Sequence, residues 1–425
     1  VGSQNAVPVL ISGLQSLEYR GYDSAGVAVL NGDKIGIRKT KGKVDNLRNL
    51  LLTEPVAGNI GIGHTRWATH GAPSDTNAHP HFSNDDKIAV VHNGIIENYQ
   101  ELKKELEAKG YVFYSETDTE TVAHLIDDYY KQGNDLLEAV RKTLERIEGS
   151  YALGVLCTDY PDQLIAARKE SPLIVGLGKG ENFIASDIPA ILNYTKDAYI
   201  LGDRELALVK ADSVKLYDIE GNEIEREVYT YKWDVEAAQK NGYDHFMLKE
   251  IFEQPKVVKD NLAKRFSEDG KSIELDGIKL GKAELENINQ IYIVACGTAY
   301  YAGLIGKYLL ERIVRIPVNS DVASEFRYKD PLIDEHTLVI VISQSGETAD
   351  THSALKLAKA KGARVLGIVN AVGSSIARDA DDVLYTLAGF EIAVASTKAF
   401  SAQVVAMYLI TLHIAQELGK IDDKT

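Results

Sequence analysis

Thr337-Leu338-Val339-Ile340-Val341-Ile342 runs directly into Ser343-Gln344-Ser345-Gly346-Glu347-Thr348, and Ala354-Leu355-Lys356-Leu357-Ala358 follows. A short apolar, β-branched run bounded by small residues predicts a buried strand, and the segment after the loop predicts a helix. The same order recurs on both sides. Ile291 to Ala295 opens into Cys296-Gly297-Thr298 ahead of a helical run from Ala302 to Arg312, and Val365 to Val369 leads through Gly373-Ser374-Ser375 into another helix. Repeated βα units predict an α/β domain with a parallel, doubly wound sheet and a ligand at the carboxyl ends of its strands.

Those strand ends are rich in hydroxyls. Backbone N–H groups at a helix start carry partial positive charge and seat phosphate. Ser343, Ser345, Thr348 and Thr298 add donors without formal charge, and Gly297 and Gly346 allow close backbone approach. Ordinary caps and turns have the same composition, so a single such loop decides nothing; two in consecutive βα units favour a phosphate site. There is no Gly-x-x-x-x-Gly-Lys-Ser/Thr and no Gly-x-Gly-x-x-Gly after a strand, which argues against nucleoside triphosphates and dinucleotides.

Upstream the rhythm differs. Ile88-Ala89-Val90-Val91 and Tyr151 to Leu156 read as buried strands bounded by Asn-Gly and Asp-Tyr-Pro turn signals, Glu97 to Lys109 as a helix stopped by Gly110, and Thr117 with Glu120 as a capping box opening a second helix. This half is α+β. A polar stretch separates the halves, giving expected domains of 1–229 and 243–425 with a linker at 230–242.

The whole-chain totals set limits. A chain of 425 residues exceeds one ordinary core. Its net charge of −15 argues against nucleic acid or an anionic membrane as partner. Two cysteines, Cys157 and Cys296, each in an apolar run, suit a reduced, cytoplasmic compartment rather than a disulfide framework. Ala399 to Gln416 lacks Asp, Glu, Lys and Arg and is just long enough to span a bilayer, but its Ser401, Gln403, Thr411, His413 and Gln416 favour a buried or interface helix.

Gly63-His64-Thr65-Arg66-Trp67-Ala68-Thr69-His70-Gly71 offers a guanidinium that could clamp a carboxylate, Val91-His92-Asn93-Gly94-Ile95 an amide and a glycine N–H suited to an oxyanion, and Ser115 to Glu120 a carboxylate, Asp118, at a helix start. Each has a plainer alternative. Asn93-Gly94 is also a turn signal, Asp118 could complement the helix dipole, and Arg66 could be a surface cation. His64, His70, His79, His81 and His92 raise the possibility of zinc, but no cysteine or His-x-x-x-His helix accompanies them, so no metal is expected.

Taken as a set, these segments resemble known families. Glu18-Tyr19-Arg20-Gly21-Tyr22-Asp23-Ser24-Ala25-Gly26 and the three stretches above are similar to the class II glutamine amidotransferase domain. The segments Ala295 to Thr298, Ala323-Ser324-Glu325-Phe326-Arg327-Tyr328, Ser343 to Thr351, and Val394-Ala395-Ser396-Thr397-Lys398-Ala399-Phe400 are similar to the sugar-isomerase (SIS) domain. The combination resembles the glutamine-dependent aminotransferases that act on fructose 6-phosphate. That resemblance implies an αββα N-terminal-nucleophile (Ntn) glutaminase domain followed by an α/β SIS domain. It also implies glutamine and fructose 6-phosphate as substrates, glucosamine 6-phosphate as product, and a buried path for ammonia. No redox cofactor, metal or pyridoxal phosphate is implied, and a cytoplasmic homodimer is. By the same resemblance Asn93 and Gly94 form the oxyanion hole. Arg66 and Asp118 hold the α-carboxylate and α-amine of glutamine, Thr69 and His70 line its pocket, and Trp67 gates ammonia. Thr298, Ser343, Gln344, Ser345 and Thr348 hold the sugar phosphate, with Val394 and Ser396 lining the same pocket.

There are departures. Ala299 stands where many members have serine. The family's nucleophile is an N-terminal cysteine ahead of where Val1 begins, and its second SIS domain and Schiff-base lysine lie beyond Thr425. Both ends therefore read as cut, and the chain alone is expected to be inactive. Cys157 reads as core rather than a replacement nucleophile, and Lys398 as structural. Two rivals remain. One is an amidophosphoribosyltransferase, disfavoured because Ser-Gln-Ser stands where paired acidic residues are needed. The other is a sugar-phosphate sensor, which has no use for a glutamine clamp.

Overall fold

The computed structural model describes residues 1–18, 21, 23–68, 70–231, 240–263, 265–267 and 269–422. It contains two units, Val1–Val235 and Glu236–Thr425. Most of the expected linker, and Thr69 of the expected glutamine pocket, fall outside the described residues.

In the first unit, α1 (Ala6–Leu17), β1 (Ser24–Asn31), β2 (Lys34–Lys41), α2 (Val44–Thr53) and β3 (Ile60–Arg66) come first. Next are β4 (His81–Phe82), β5 (Ile88–Ile96), α3 (Tyr99–Ala108), α4 (Thr119–Lys131), α5 (Leu136–Arg146), β6 (Gly149–Cys157) and β7 (Gln163–Lys169). The unit closes with β8 (Ile174–Leu177), β9 (Asn182–Ala185), β10 (Asp197–Ile200), β11 (Glu205–Lys210), β12 (Val214–Tyr217), β13 (Glu223–Ile224) and β14 (Tyr229–Thr230). The sheets run β2-β1-β3, β14-β10-β8-β9 and β13-β12-β11-β7-β6-β5-β4, all antiparallel.

Period-two alternation produces the layers. Ile88 and Val90 of β5 and Leu153 and Val155 of β6 pack against Leu125, Ile126, Val140 and Leu144 of α4 and α5. Their neighbours Ala89, Val91, Ala152 and Leu156 turn the other way, onto Ala28, Leu30, Ile60 and Ile62 of the smaller sheet. That sheet's far face, Ala25 and Val27, is covered by Leu14 of α1 and Val44, Leu47 and Leu51 of α2. The result is an αββα sandwich. Truncating a fully buried member such as Leu153 to alanine costs about 2–5 kcal/mol.

Two local readings differ from the structure. Asn93-Gly94 is no turn: β5 passes straight through it, with Asn93 opposite Ala152 and Gly94 opposite Tyr151. Gly94 sits at φ +133°, and a Cβ there would lie 2.1 Å from the Ser150 carbonyl oxygen, so tight pairing with β6 explains the glycine. The second helix starts at Thr119, near Thr117 as expected, but its N-cap is Asp118 and Glu120 is not a capping-box partner: the Glu120 carboxylate accepts from the Tyr114 and Ser115 amides, 2.9 and 2.7 Å. Strand β14 pairs Tyr229 and Thr230 with β10, so the first unit's sheet runs up to the expected linker.

The second unit contains α6 (Phe246–Ala263), α7 (Lys282–Glu286), β15 (Gln290–Ala295), α8 (Gly297–Ile313), β16 (Val318–Val322), α9 (Ala323–Phe326) and β17 (Thr337–Ser343). It continues with α10 (Ala349–Ala360), β18 (Arg364–Val369), α11 (Ser375–Asp379), β19 (Asp382–Tyr385) and α12 (Lys398–Glu417). The sheet is wholly parallel in the order β16-β15-β17-β18-β19. Ile291, Ile293, Leu338, Ile340 and Ile342 face a core shared with Leu310 of α8 and Met407, Ile410 and Ile414 of α12. Tyr292, Val294, Val339 and Val341 face Phe326 of α9 and Ala354, Leu355 and Ala358 of α10. Helices therefore cover both faces, and the chain reverses its winding between β15 and β17. Helix α12 is long and apolar enough to cross a membrane by length and composition, but here Ala402, Ala406, Met407 and Ile410 are buried in the core.

Candidate active site

In the first unit a cavity of about 400 Å³ opens between the sheets and α1, lined by Arg66, Trp67, His70, Asn93, Gly94 and Asp118, with Val1 and Gly2 also on its wall. Arg66 is the last residue of β3 and only 4% exposed, so it is not a surface cation. Its Nη2 donates to the Gly71 carbonyl at 2.9 Å and to that of His70, while its buried Nη1 meets no hydrogen-bond partner among the described residues. Burial lowers the Arg66 pKa, opposed by the carboxylates of Asp23 and Asp118. Asp23 also grips the adjoining segment: its carboxylate accepts from the Ala68 amide, and its own amide donates to the Arg66 carbonyl at 3.0 Å.

Asp118 is also buried and occupies the N-cap position of α4, where its side chain makes no cap bond to the helix. Instead its Oδ2 accepts from the Ile96 amide at 2.8 Å, fixing the helix start to the end of β5, and its Oδ1 lies 4.0 Å from His70 Nδ1. The His70 ring meets Tyr99 edge-on at 5.2 Å between centroids. Trp67 stands 69% exposed at the rim.

Asn93 Oδ1 lies 2.7 Å from His64 Nε2. With that oxygen as acceptor, His64 carries its proton on Nε2 and the Asn93 Nδ2 remains the amide's donor end. The His64 ring stacks on His79 at 4.4 Å, and His79 meets His81 edge-on at 4.9 Å. Burial lowers the His64 pKa to about 4 and holds His79 and His81 well below the ordinary histidine value, so the cluster is neutral near pH 7. Among the described residues no group of three His, Cys, Asp or Glu side chains is placed to hold a metal ion. Cys157 is buried in the core on the helix side of β6, and burial pushes its thiol up to about 11.

In the second unit, register sets Ala295 beside Ile342 and Ser343 beside Val369, so the loops after β15, β17 and β18 emerge side by side at one sheet edge. Ser343 Oγ lies 2.9 Å from Thr348 Oγ1 and accepts from the Gly346 amide at 3.0 Å. Ser345 Oγ accepts from the Glu347 amide at 3.2 Å, and the Gln344 carbonyl accepts from the Asn370 amide at 3.1 Å. Gly346 lies at φ +66°, where a Cβ would strike Ser374 Oγ, so only glycine lets this loop close. Thr298 is the second residue of α8, and Thr348 stands at the N-cap position of α10. Val394 and Ser396 sit on a separate segment between β19 and α12: Val394 is exposed, and Ser396 Oγ donates to Glu391 at 2.9 Å. Lys398 is buried, with its Nζ 2.6 Å from Glu253 Oε2, the environment of a structural ion pair.

Residues 64–193 match the glutamine amidotransferase domain family, and residues 284–413 match the SIS domain family. Over 422 residues the chain is 60% identical to the glutamine–fructose-6-phosphate aminotransferase (isomerizing) of Clostridium tetani, covering 99% of this chain and 69% of that one. The chain belongs to the glutamine–fructose-6-phosphate aminotransferase family. Another relative of that name, from Caldanaerobacter subterraneus subsp. tengcongensis, is 60% identical over 419 residues, covering 99% of this chain and 68% of the relative. Among solved structures, the C-terminal domain of glucosamine-fructose-6-phosphate aminotransferase from Francisella tularensis is 41% identical, covering 44% of this chain and 52% of that one, with a TM-score of 0.42.

Read as an aminotransferase of this family, the chain has cavity residues that sequence reasoning passed over. In sequence His64 and His79 suggest only zinc ligands, yet both line the glutaminase-domain cavity. Asp23 lies in the Glu18–Gly26 stretch with no role evident from sequence, and its grip on Ala68 depends on the pairing of β1 with β3.

Proposed function

We propose that the first unit's cavity binds glutamine and the second unit's loops bind fructose 6-phosphate, so that the chain moves amide nitrogen onto the ketose to give glucosamine 6-phosphate and glutamate, the first step of amino-sugar synthesis. The observation that carries this reading is the buried Arg66 Nη1, which meets no partner among the described residues and lines the same cavity as Asp118. An unsatisfied buried guanidinium N–H is costly unless a ligand completes it, and a carboxylate does so with charge-assisted bonds. Arg66 takes the α-carboxylate of glutamine, and Asp118, with one oxygen already committed to Ile96, offers the other to the α-ammonium. His70 completes the pocket wall, and Trp67 gates the released ammonia. When the side-chain amide is attacked, negative charge collects on its oxygen, and Asn93 Nδ2 with the Gly94 N–H receives it.

On the sugar side, Thr298, Ser343, Gln344, Ser345 and Thr348 hold the phosphate and sugar hydroxyls at the point where the sheet reverses its winding. Val394 and Ser396 line the same pocket. The work divides between domains at about 1–229 and 243–425, and the protein acts as a cytoplasmic homodimer. Exposed Tyr301 and Tyr308 of α8 and Tyr408 of α12 offer apolar surface that suits a second copy. Sedimentation as a monomer at micromolar concentration would rule the dimer out.

The decisive test is Arg66→Ala in the enzyme. Glutamine-dependent kcat/KM should fall about 100-fold while ammonia-dependent synthesis is retained. Equal losses with both nitrogen donors would reject the clamp.

A further inference from the structure

One face of α6 is tied to a single segment, residues 385–401. Glu250 Oε1 accepts from the Ile392 amide at 2.6 Å and the Ala393 amide at 3.1 Å. Glu253 pairs with Lys398 at 2.6 Å, Gln254 accepts from Ser401 Oγ at 2.6 Å, and Asn261 Nδ2 donates to the Thr386 carbonyl at 2.5 Å. Arg265, just past the helix, donates to the Tyr385 carbonyl. From the other side Glu391 accepts from the Thr397 and Ala399 amides, 2.7 and 3.0 Å, and from Ser396 Oγ.

Glu250 stands out in this set. Its side chain is among the most buried acids of the unit, 1% exposed, and it receives two consecutive main-chain N–H groups. Burying a carboxyl is unfavourable unless its oxygens are well bonded. Two consecutive N–H groups converging on one carboxylate define the local backbone path closely. That path leads directly into Val394, which is 78% exposed, and then Ser396. Val394 is thus exposed on a segment whose backbone is anchored on both sides of it.

We infer that Glu250 is a positioning residue for the sugar-phosphate site, locking the Ile392–Ala393 backbone so that Val394 and Ser396 are presented to the sugar; this rests on the sugar-site reading above. The test compares Glu250→Gln and Glu250→Ala in the enzyme. Glutamine keeps an acceptor for the two amides and alanine keeps none. Glu250→Ala should raise the KM for fructose 6-phosphate about tenfold, the loss of ordering hydrogen bonds, and leave the KM for glutamine unchanged. Glu250→Gln should return the sugar KM to within about threefold of wild type. Hydrogen exchange of the 390–397 peptide should quicken in Glu250→Gln and be slowed again by fructose 6-phosphate, a readout that survives if the alanine variant does not fold. An unchanged sugar KM, a loss confined to kcat, a glutamine variant as impaired as alanine, or an exchange rate indifferent to the sugar would each overturn the inference. Ser345→Ala run in parallel separates the two layers. If it raises the sugar KM while Glu250→Ala does not, only the positioning role fails; if neither moves it, the sugar-site reading fails as well.

Discussion

The candidate sites of the two units are built by opposite means. In the first, a buried guanidinium and a buried carboxylate line one cavity, with neutral, stacked histidines on its wall. In the second, hydroxyls and the starts of α8 and α10 gather at an open sheet edge, and the loop bonds largely within itself. A full charge held in low dielectric selects strongly and is costly to maintain, whereas dipoles and hydroxyls are individually modest and easily shared. Proposed ligands match this division: a small zwitterion must be gripped at both charges, while a phosphate dianion is satisfied by many weak donors.

The contrast can be broken most forcefully at Asn93. Asn93→Ala should lower glutamine-dependent kcat by about 10²–10³-fold, the cost of one oxyanion donor, with ammonia-dependent turnover preserved. A change in glutamine KM alone would place Asn93 in binding and not in transition-state stabilisation. The next largest effect is acid lability. The folded pKa of His64, about 4, lies below its unfolded value near 6.5, so the unfolded chain binds the proton more readily between these limits. Stability is therefore complete above pH 6.5 and lost as pH falls toward 4, by roughly 3 kcal/mol for this one group. Hydrogen exchange on acidification should accelerate first in β3 and β5 and not in β15 and β17; simultaneous opening of both units would contradict that assignment.

The smallest effect belongs to the hydroxyl site. Ser345→Ala removes one donor of several, so the KM for fructose 6-phosphate should rise about five- to tenfold with kcat for glutamine hydrolysis unchanged. Kinetics identical to wild type would remove Ser345 from the site. A loss as large as that at Asn93 would erase the proposed difference between the two kinds of pocket.

How legible each unit was in sequence follows from the same difference. The parallel sheet was readable because β15, β17 and β18 are buried on both faces, so their apolar runs are unbroken and end at their loops. In the first unit the decisive facts are long-range. Asn93-Gly94 has the composition of a turn, and only its pairing with Ala152 and Tyr151 makes it a strand. Glu120 has the spacing of a capping partner, yet the Tyr114–Ser115 loop takes its carboxylate first. Arg66 has the sequence context of a surface cation, and only its place at the end of β3 carries it inside. The motifs were visible in every case; what they bonded to was not.

Strand β5 belongs to two interiors at once. Ile88 and Val90 are committed to one, and Ala89 and Val91 to the other, with Asn93 and Gly94 in phase with both. Its spelling can drift, but its length cannot. Adding or deleting one residue between Ile88 and Asn93 would exchange the two rows of side chains and turn the amide to the wrong side of the sheet. Engineering that lengthens this enzyme is therefore best confined to surface turns such as Thr158–Pro161, where the parity of a strand is not at stake.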